Sequence, residues 1–310
     1  MPRAWPWGEK GLEMQVRKLT TERRNPATEN LDRMSALEMV TAMNREDARV
    51  PRAIRKVLPE IARAVELVAH RLAEGGRLIY VGSGTSGRIG ALDASESPPT
   101  FGVSAKKVQF VIAGGERALV RAAEASEDSA ELGRRDIAAR RPGINDVVVG
   151  IAASGYTPYT ISALEHARDK GAATVAIACN RNTPLGKVAD LRIEVEVGPE
   201  VLAGSSRLKA GTAEKLICNM LTTGAMARLG YVYSNLMVNL HLTNKKLVQR
   251  GITILEELAT VDRAQAAATL EKAGRSVPLA LVMLKAGAGK AESARRLRRA
   301  KGNVRRAIEG

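Results

Sequence analysis

The sequence predicts an α/β protein with a doubly wound parallel sheet, N-terminal helices and a small C-terminal helical domain. Five short apolar segments between residues 77 and 195 have the length of buried strands, and segments of helical periodicity separate them. Two of these strands run into turns rich in glycine, serine and threonine, which is typical of anion-binding loops at the carboxyl edge of a parallel sheet. Beyond Gly251 short helical segments are broken by glycine and proline, without a strand pattern.

Apolar periodicity places the individual elements along the chain. Helices are predicted at 35–44 and 50–73, where apolar residues recur at intervals of three and four. Strands are predicted at 77–82, 107–113, 146–152, 173–179 and 191–195. Further helices are predicted at 86–94, 118–140, 158–170, 208–229 and 234–249, the last of them amphipathic.

This order of elements divides the chain into three parts. Residues 1–18 hold two tryptophans, two prolines and scattered charge without a period, so we expect a mobile extension. Residues 19–251 are predicted to form the α/β domain with its flanking helices. Residues 252–310 are predicted to form a small helical domain of the UBA-like kind.

The composition argues against several classes of protein. There is no apolar stretch of about 18 residues and no secretory signal, so we expect a cytoplasmic protein that does not bind membranes. The net charge of +15 comes with only 3% aromatic residues, which argues against nucleic acid as a partner and favours attraction of anionic sugar phosphates. Cys179 and Cys218 lack a Cys-x-x-Cys spacing, so neither a disulfide nor a metal site is predicted.

The most informative segment, at residues 78–100, reads LIYVGSGTSGRIGALDASESPPT. An apolar strand leads into a glycine-rich turn and then a helix, whose first N–H groups point at any anion bound in the turn. The predicted binding residues of this turn are Ser83, Gly84, Thr85 and Ser86. Glu96 follows on the same segment, near enough to act on a molecule that the turn anchors.

The glycine spacing of this turn also fits a dinucleotide-binding loop. That interpretation needs an acidic residue at the end of the second strand to hold a ribose, whereas Ala113, Gly114 and Gly115 stand there and Glu116 follows. The consecutive hydroxyls favour a phosphate monoester, although a nucleotide stays open on this segment alone.

Two further turns repeat the design. After the third strand, Ser154, Gly155 and Thr157 precede a helix that starts with Pro158, so their hydroxyls either cap the helix or donate to an anion. The stretch GSSRLKAG at 204–211 adds the cations Arg207 and Lys209. Its alternative interpretation is that Ser205 or Ser206 caps a helix while the cations face solvent.

Several motifs together resemble one known family. The strings GSGTSGR at 82–88, LDASESPPTFGV at 92–103, IAASGYTPY at 151–159, AGSSRLKAGTAEK at 203–215 and YSNLMVNL at 233–240 occur in this order, after an opening LTTERRNPATENLDRMSALEMVTAMNRED. They are similar to the N-acetylmuramic acid 6-phosphate etherases, a family of the sugar isomerase (SIS) superfamily. The resemblance covers residues 19–310, which makes it far more specific than the glycine turn alone.

The resemblance implies a lyase of cell-wall amino-sugar recycling that releases D-lactate from N-acetylmuramic acid 6-phosphate. Elimination next to the aldehyde of the open-chain sugar, followed by addition of water, needs two tuned carboxyl groups and no cofactor. The family's catalytic glutamates map onto Glu96, the proton donor to lactate, and Glu127, the second acid/base. Without the family, Glu124, Glu127, Asp128 and Glu131, all on the same predicted helix, are equivalent candidates for the second role.

The same family pattern assigns Ser206, Arg207 and Lys209 to anionic substrate contacts, beside the hydroxyl residues of the two turns. A homodimer is expected from the habit of the superfamily. Two alternatives remain at this stage: a non-catalytic regulatory protein that senses a sugar phosphate, and a sugar-phosphate isomerase.

Overall fold

The chain folds into two compact units. The computed structural model describes residues 19–121, 124–242 and 244–310, so the extension predicted at 1–18 lies outside the described residues. The first unit comprises the described residues up to Ser95 together with Lys106–Leu221. The second comprises Glu96–Ala105 and Thr222–Gly310.

A five-stranded parallel sheet forms the centre of the first unit. Its strands are β1 (Leu78–Gly82), β2 (Val108–Ile112), β3 (Val147–Ile151), β4 (Ala173–Ala178) and β5 (Leu191–Glu194), in the order β2-β1-β3-β4-β5. All neighbouring strands are parallel. Each strand begins and ends within one residue of its predicted bounds, and the doubly wound fold class is confirmed.

The helices are numbered in chain order. They are α1 (Ala36–Asp47), α2 (Val50–Arg55), α3 (Leu58–Ala73), α4 (Gly84–Phe101), α5 (Ala130–Ala138), α6 (Pro158–Asp169), α7 (Pro184–Val188), α8 (Lys209–Leu229), α9 (Lys245–Ala259), α10 (Arg263–Lys272), α11 (Val277–Ala286), α12 (Lys290–Arg299) and α13 (Val304–Glu309). Short 3₁₀ turns lie at Thr20–Glu22, Pro26–Thr28, Leu31–Arg33, Glu116–Leu119 and Glu124–Ser126.

Both faces of the sheet are covered, which explains why its central strands are apolar throughout. On one face Ile79 and Val81 pack with Tyr159 and Leu164 of α6. On the other, the hydroxyl of Tyr80 donates to Asp93 Oδ2 of α4 at 2.9 Å. Strands buried on both faces lose the alternation of polar and apolar residues that a half-exposed sheet shows.

The register of β1 and β3 positions the candidate site. Gly82, the last residue of β1, pairs with Ile151, the last residue of β3. Because parallel strands point the same way, the loops that follow them emerge side by side at one edge of the sheet. The two predicted hydroxyl turns, at 83–87 and 152–157, are these two loops.

The second unit is helical and larger than the predicted segment 252–310. Val238 and Leu240 are buried in one cluster with Leu255, Leu281 and Val304. Residues before Gly251 therefore belong to the same apolar core as the C-terminal helices. The absence of a strand pattern beyond Gly251 agrees with the helices found there.

Several predicted helices are wrong in part. The segment 50–73 forms two helices, α2 and α3, and the helix predicted at 86–94 extends over Gly84–Phe101. The amphipathic segment 234–249 is helical only from Lys245, because Asn244 accepts a hydrogen bond from Leu247 N and starts a new helix there. Ser234 before it has a positive φ of 54°. In the segment 118–140 the α-helix begins only at Ala130, because the Ser129 side chain caps it.

None of the helices in residues 19–121, 124–242 and 244–310 combines the length and the apolar character that a membrane span requires.

Candidate active site

A cavity of about 490 Å³ opens at the carboxyl ends of β1 and β3, within the first unit. It is lined by seven of the residues that the sequence assigns to binding: Ser83, Gly84, Thr85, Ser86, Ser154, Thr157 and Ser206. The lining is rich in hydroxyl groups, and it includes the start of α4. This chemistry suits an anionic ligand.

The first loop owes its shape to close packing. A Cβ atom at Gly87 would lie 2.6 Å from Ile112 Cγ1 and 2.8 Å from the carbonyl oxygen of Gly82, so only glycine fits. Gly84 has a φ of +50° and starts α4. The first N–H groups of the helix have no partner within it, so they are available as donors to an anion bound in the cavity.

The second loop presents two hydroxyls. Ser154 Oγ accepts a hydrogen bond from Tyr156 N at 3.1 Å. Thr157 stands at the N-cap of α6, but its side chain makes no capping bond. The capping alternative is therefore not realised at Thr157, and both residues line the cavity.

Gly155 lies outside the lining of the cavity and has a structural role in this loop. It is buried with a φ of +76°, and a Cβ atom there would lie 2.4 Å from Thr183 Cβ. The carbonyl oxygen of Gly155 accepts from Leu185 N at 3.1 Å. Glycine at this position brings the loop against the start of α7.

The two cations assigned by the family pattern do not line the cavity. Arg207 is exposed. Lys209 is buried and forms an ion pair with Glu46, while its backbone N–H donates to Glu200. A buried lysine needs such a partner because its charge has left water. Its ammonium group is thereby committed to holding α8 against α1.

Arg88 is the cation that does line the cavity, and the sequence interpretation missed it. Its guanidinium donates to the carbonyl oxygens of Ala118 at 2.9 Å and Arg121 at 3.1 Å. No carboxylate among the described residues forms an ion pair with it. The available signal was its position directly after the glycine turn.

Among the described side chains, two carboxylates line the cavity, those of Glu22 and Glu127. Glu127 lies over the first loop, since a Cβ atom at Gly84 would be 3.0 Å from Glu127 Oε1. Its carbonyl oxygen accepts from Tyr159 N at 3.1 Å, which fixes the backbone beside α6. Asp128 is exposed outside the lining, and the side chain of Glu124 lies outside the described part of the structure. Glu22 was missed because its 3₁₀ turn is distant in sequence.

Glu96 lies on α4 and is exposed. It does not belong to the residues that line the cavity of the first unit. Its carbonyl oxygen accepts a hydrogen bond from the Thr100 hydroxyl at 2.7 Å, and Pro98 and Pro99 follow within the helix.

Glu214 is a buried acid beneath the first loop that the sequence interpretation also missed. Its Oε1 lies 2.8 Å from Ser86 Oγ, and its Oε2 has no hydrogen-bond partner. Burial raises the pKa of this carboxyl to about 8. The group is therefore protonated at neutral pH, since no described lysine or arginine forms an ion pair with it.

Two family models match overlapping parts of this chain. Residues 60–168 match the family described as glucokinase regulatory protein N-terminal SIS domain. Residues 143–224 match the SIS domain family. A structure from Bacteroides fragilis, assigned as a phosphosugar isomerase involved in capsule formation, is similar with a TM-score of 0.51 and 19% identity. The match covers 67% of this chain and 98% of that one. At this identity the likeness shows the fold alone.

Two relatives are similar over nearly their whole length. A protein of Serratia proteamaculans is 52% identical over 95% of this chain and 99% of its own. A protein of Clostridium beijerinckii is 47% identical over 96% of this chain and 97% of its own. Both carry the name N-acetylmuramic acid 6-phosphate etherase.

Replacing Gly155 with alanine tests the structural role of that glycine. We expect Gly155→Ala to lower the free energy of unfolding by about 2–4 kcal/mol, because strain at positive φ adds to the clash with Thr183. Gly75→Ala is the matched control, since Gly75 has a φ of +87° but open space around it. It should cost only about 1 kcal/mol, the strain of the left-handed backbone alone. Urea titrations measure both, and equal losses would contradict the clash.

The pKa of Glu214 predicts a pH-dependent stability. The folded protein holds this proton up to about pH 8, whereas an unfolded glutamate releases it near its ordinary value of 4.5. Between these values the unfolded state binds fewer protons, so stability falls as pH rises. Glu214→Gln should become more stable relative to wild type by about 1.4 kcal/mol per pH unit up to about pH 8. Free energies of unfolding from urea titrations, measured for both proteins from pH 5 to 9, test this. A constant difference between wild type and Glu214→Gln over this range would contradict the raised pKa.

Proposed function

The chain belongs to the family of N-acetylmuramic acid 6-phosphate etherases, and we propose that Glu96 and Glu127 are its two catalytic carboxyl groups. The protein is a carbon–oxygen lyase. It cleaves the D-lactyl ether of N-acetylmuramic acid 6-phosphate to N-acetylglucosamine 6-phosphate and D-lactate, a step of amino-sugar recycling from the cell wall. The observation that carries the catalytic proposal for this chain is Glu127 facing the phosphate-type loop at Gly84.

The phosphate group of the substrate binds, in this proposal, to the loop Ser83–Ser86. Backbone N–H groups at the start of α4 and the hydroxyls of the loop donate to its oxygens. Arg88 supplies positive charge from the second turn of the same helix. The hydroxyls of Ser154, Thr157 and Ser206 line the remaining walls and suit the polar groups of a sugar.

The chemistry follows from the open-chain form of the sugar. The aldehyde at carbon 1 acidifies the hydrogen on carbon 2, so a carboxylate removes that proton and the ether bond at carbon 3 breaks. A second carboxyl group protonates the departing lactate oxygen. Water then adds to the unsaturated aldehyde at carbon 3, and a proton returns to carbon 2. General acid–base catalysis of this kind contributes about 10²–10⁴-fold to the rate.

Within this scheme Glu127 acts as the acid/base beside the bound sugar and Glu96 as the proton donor to lactate. The proposed acid/base role of Glu127 is supported by its position in the lining of the cavity. For Glu96 the support is the family resemblance of the segment LDASESPPTFGV, in which it stands.

A homodimer in the cytoplasm is part of the proposal. Leu37, Val40 and Met43 recur on one face of α1 and are exposed at 75%, 56% and 37%. A stripe of this kind on a surface helix supports contact with a second copy of the chain. The proposal assigns no role to membranes or nucleic acid.

The alternatives explain less of the chain. A regulatory protein that senses a sugar phosphate needs the hydroxyl loops but no carboxylate over them. A sugar-phosphate isomerase shares the first proton abstraction, but the near-full-length relatives reported above are named as etherases. The etherase accounts for both the loops and Glu127.

Neutralising either glutamate should stop lactate release. We expect Glu127→Gln and Glu96→Gln each to lower kcat/KM for N-acetylmuramic acid 6-phosphate by at least about 100-fold, because the amide neither accepts nor donates the proton. Coupled detection of D-lactate measures this. Glu131→Gln, the same change at an exposed residue of α5, should keep wild-type rates.

The two assignments fail separately. Near-normal lactate release by one Gln variant removes that residue from catalysis. Loss of activity in Glu22→Gln together with normal activity in Glu127→Gln would move the second acid/base to the other carboxylate of the cavity. No lactate from the wild-type protein would contradict the etherase function itself.

A further inference from the structure

A neutral acid lies directly behind one of the cavity hydroxyls. Ser86 is 8% exposed and lines the cavity, while Glu214 of α8 is fully buried on the other side of it. Their side-chain oxygens are 2.8 Å apart. The second carboxyl oxygen of Glu214 is buried without a partner. A buried carboxyl group with an unpartnered oxygen needs an explanation, because its ionised form is energetically costly in the protein interior.

In the part of the chain that the structure describes, no lysine or arginine forms an ion pair with Glu214. The titratable groups that interact with Glu214 are two buried thiols. Cys179 directly follows β4, and Cys218 lies on α8, the helix that also carries Glu214. The pKa of Cys179 is raised by burial first and then by Glu214 and Glu200. That of Cys218 is raised by burial first and then by Asp93 and Glu214. Among the described residues only Ser86 hydrogen-bonds to the Glu214 side chain.

We propose that Glu214 is a positioning residue for phosphate binding, whose protonated carboxyl group donates to Ser86 Oγ and so directs the Ser86 hydroxyl at a phosphate oxygen. This inference rests on the proposed function, because it takes the cavity to bind a sugar phosphate. It concerns how the loop binds its anion and not the steps that release lactate.

The effect of Glu214 on phosphate binding depends on which side chain donates the hydrogen bond between Glu214 and Ser86. A serine hydroxyl has a single proton to donate. When Glu214 is ionised, it is only an acceptor, so the Ser86 proton points inward to the carboxylate and an oxygen lone pair faces the phosphate. When Glu214 is protonated, it donates to Ser86, and the Ser86 proton is free to point outward. An ionised Glu214 also repels the phosphate dianion across Ser86.

The expected consequence is a loss of phosphate affinity at alkaline pH. Because the free carboxyl has a pKa of about 8, it is mostly protonated at pH 7 and mostly ionised at pH 9. Affinity for N-acetylglucosamine 6-phosphate should fall roughly tenfold over this interval. By linkage, the ligand must also raise the proton affinity of Glu214 when it binds.

Proton uptake on binding tests this directly. Calorimetric titration of the full chain with N-acetylglucosamine 6-phosphate, in buffers of different ionisation enthalpy, measures the protons taken up. The ligand itself takes up none at pH 8–9, because the second pKa of a phosphate monoester is about 6. Wild type should take up nearly one proton per ligand bound at pH 9.

Two variants separate this role from simple support of the fold. Glu214→Gln keeps the shape of the side chain and donates an amide hydrogen to Ser86 at every pH. This variant should therefore take up no proton on binding the ligand, and its affinity for the ligand should not fall at alkaline pH. Ser86→Ala retains Glu214 but breaks its link to the ligand, and it should lose most of the uptake as well.

The outcomes decide the inference independently of the etherase assignment. Equal proton uptake by wild type and Glu214→Gln overturns it, and so does the absence of uptake or of binding in wild type. D-lactate release is measured on the same samples. Lactate release without the predicted uptake leaves the function standing and removes Glu214 from it. Uptake without lactate release supports the role of Glu214 and contradicts the etherase.

Discussion

The parallel register of β1 and β3 is the constraint on which the site depends. It sets Gly82 beside Ile151 at the end of two adjacent strands, so the loops that follow share one edge of the sheet. Close packing then leaves no room for a side chain at Gly87. The backbone of the first loop is thereby held near the cavity, and α4 starts there, where its first N–H groups are available to an anion.

Two buried ionisable residues of α8, Lys209 and Glu214, are accommodated in different ways. The ammonium group of Lys209 pairs with Glu46 of α1, while the backbone N–H of Lys209 donates to Glu200, so the start of α8 is tied to α1. Glu214 lies on the same helix without a cation and is neutral instead, since burial raises its pKa to about 8. The first arrangement is structural, whereas the second leaves a proton next to a residue of the binding loop.

The sheet and its loops were predictable because their signals are local. Apolar runs such as VVVGI form buried strands wherever they meet partners, and a glycine-hydroxyl turn after such a run points to the carboxyl edge. The partners of Lys209 and Glu214 were not predictable in this way. Lys209 meets Glu46 across 163 positions of the chain, and Glu214 meets Ser86 across 128. A charged residue on a helix gives no local sign of which buried neighbour it meets. The place of Arg88 beside the cavity was predictable from the sequence, since this residue directly follows the loop.

The most direct test of the site is a crystal structure of the Glu127→Gln variant with N-acetylmuramic acid 6-phosphate bound. The phosphate should lie within hydrogen-bond distance of the loop Ser83–Ser86, with the residue at 127 beside the sugar. A phosphate bound outside this loop, or a sugar whose carbon 2 and ether oxygen lie far from both residue 127 and Glu96, would contradict the proposed site.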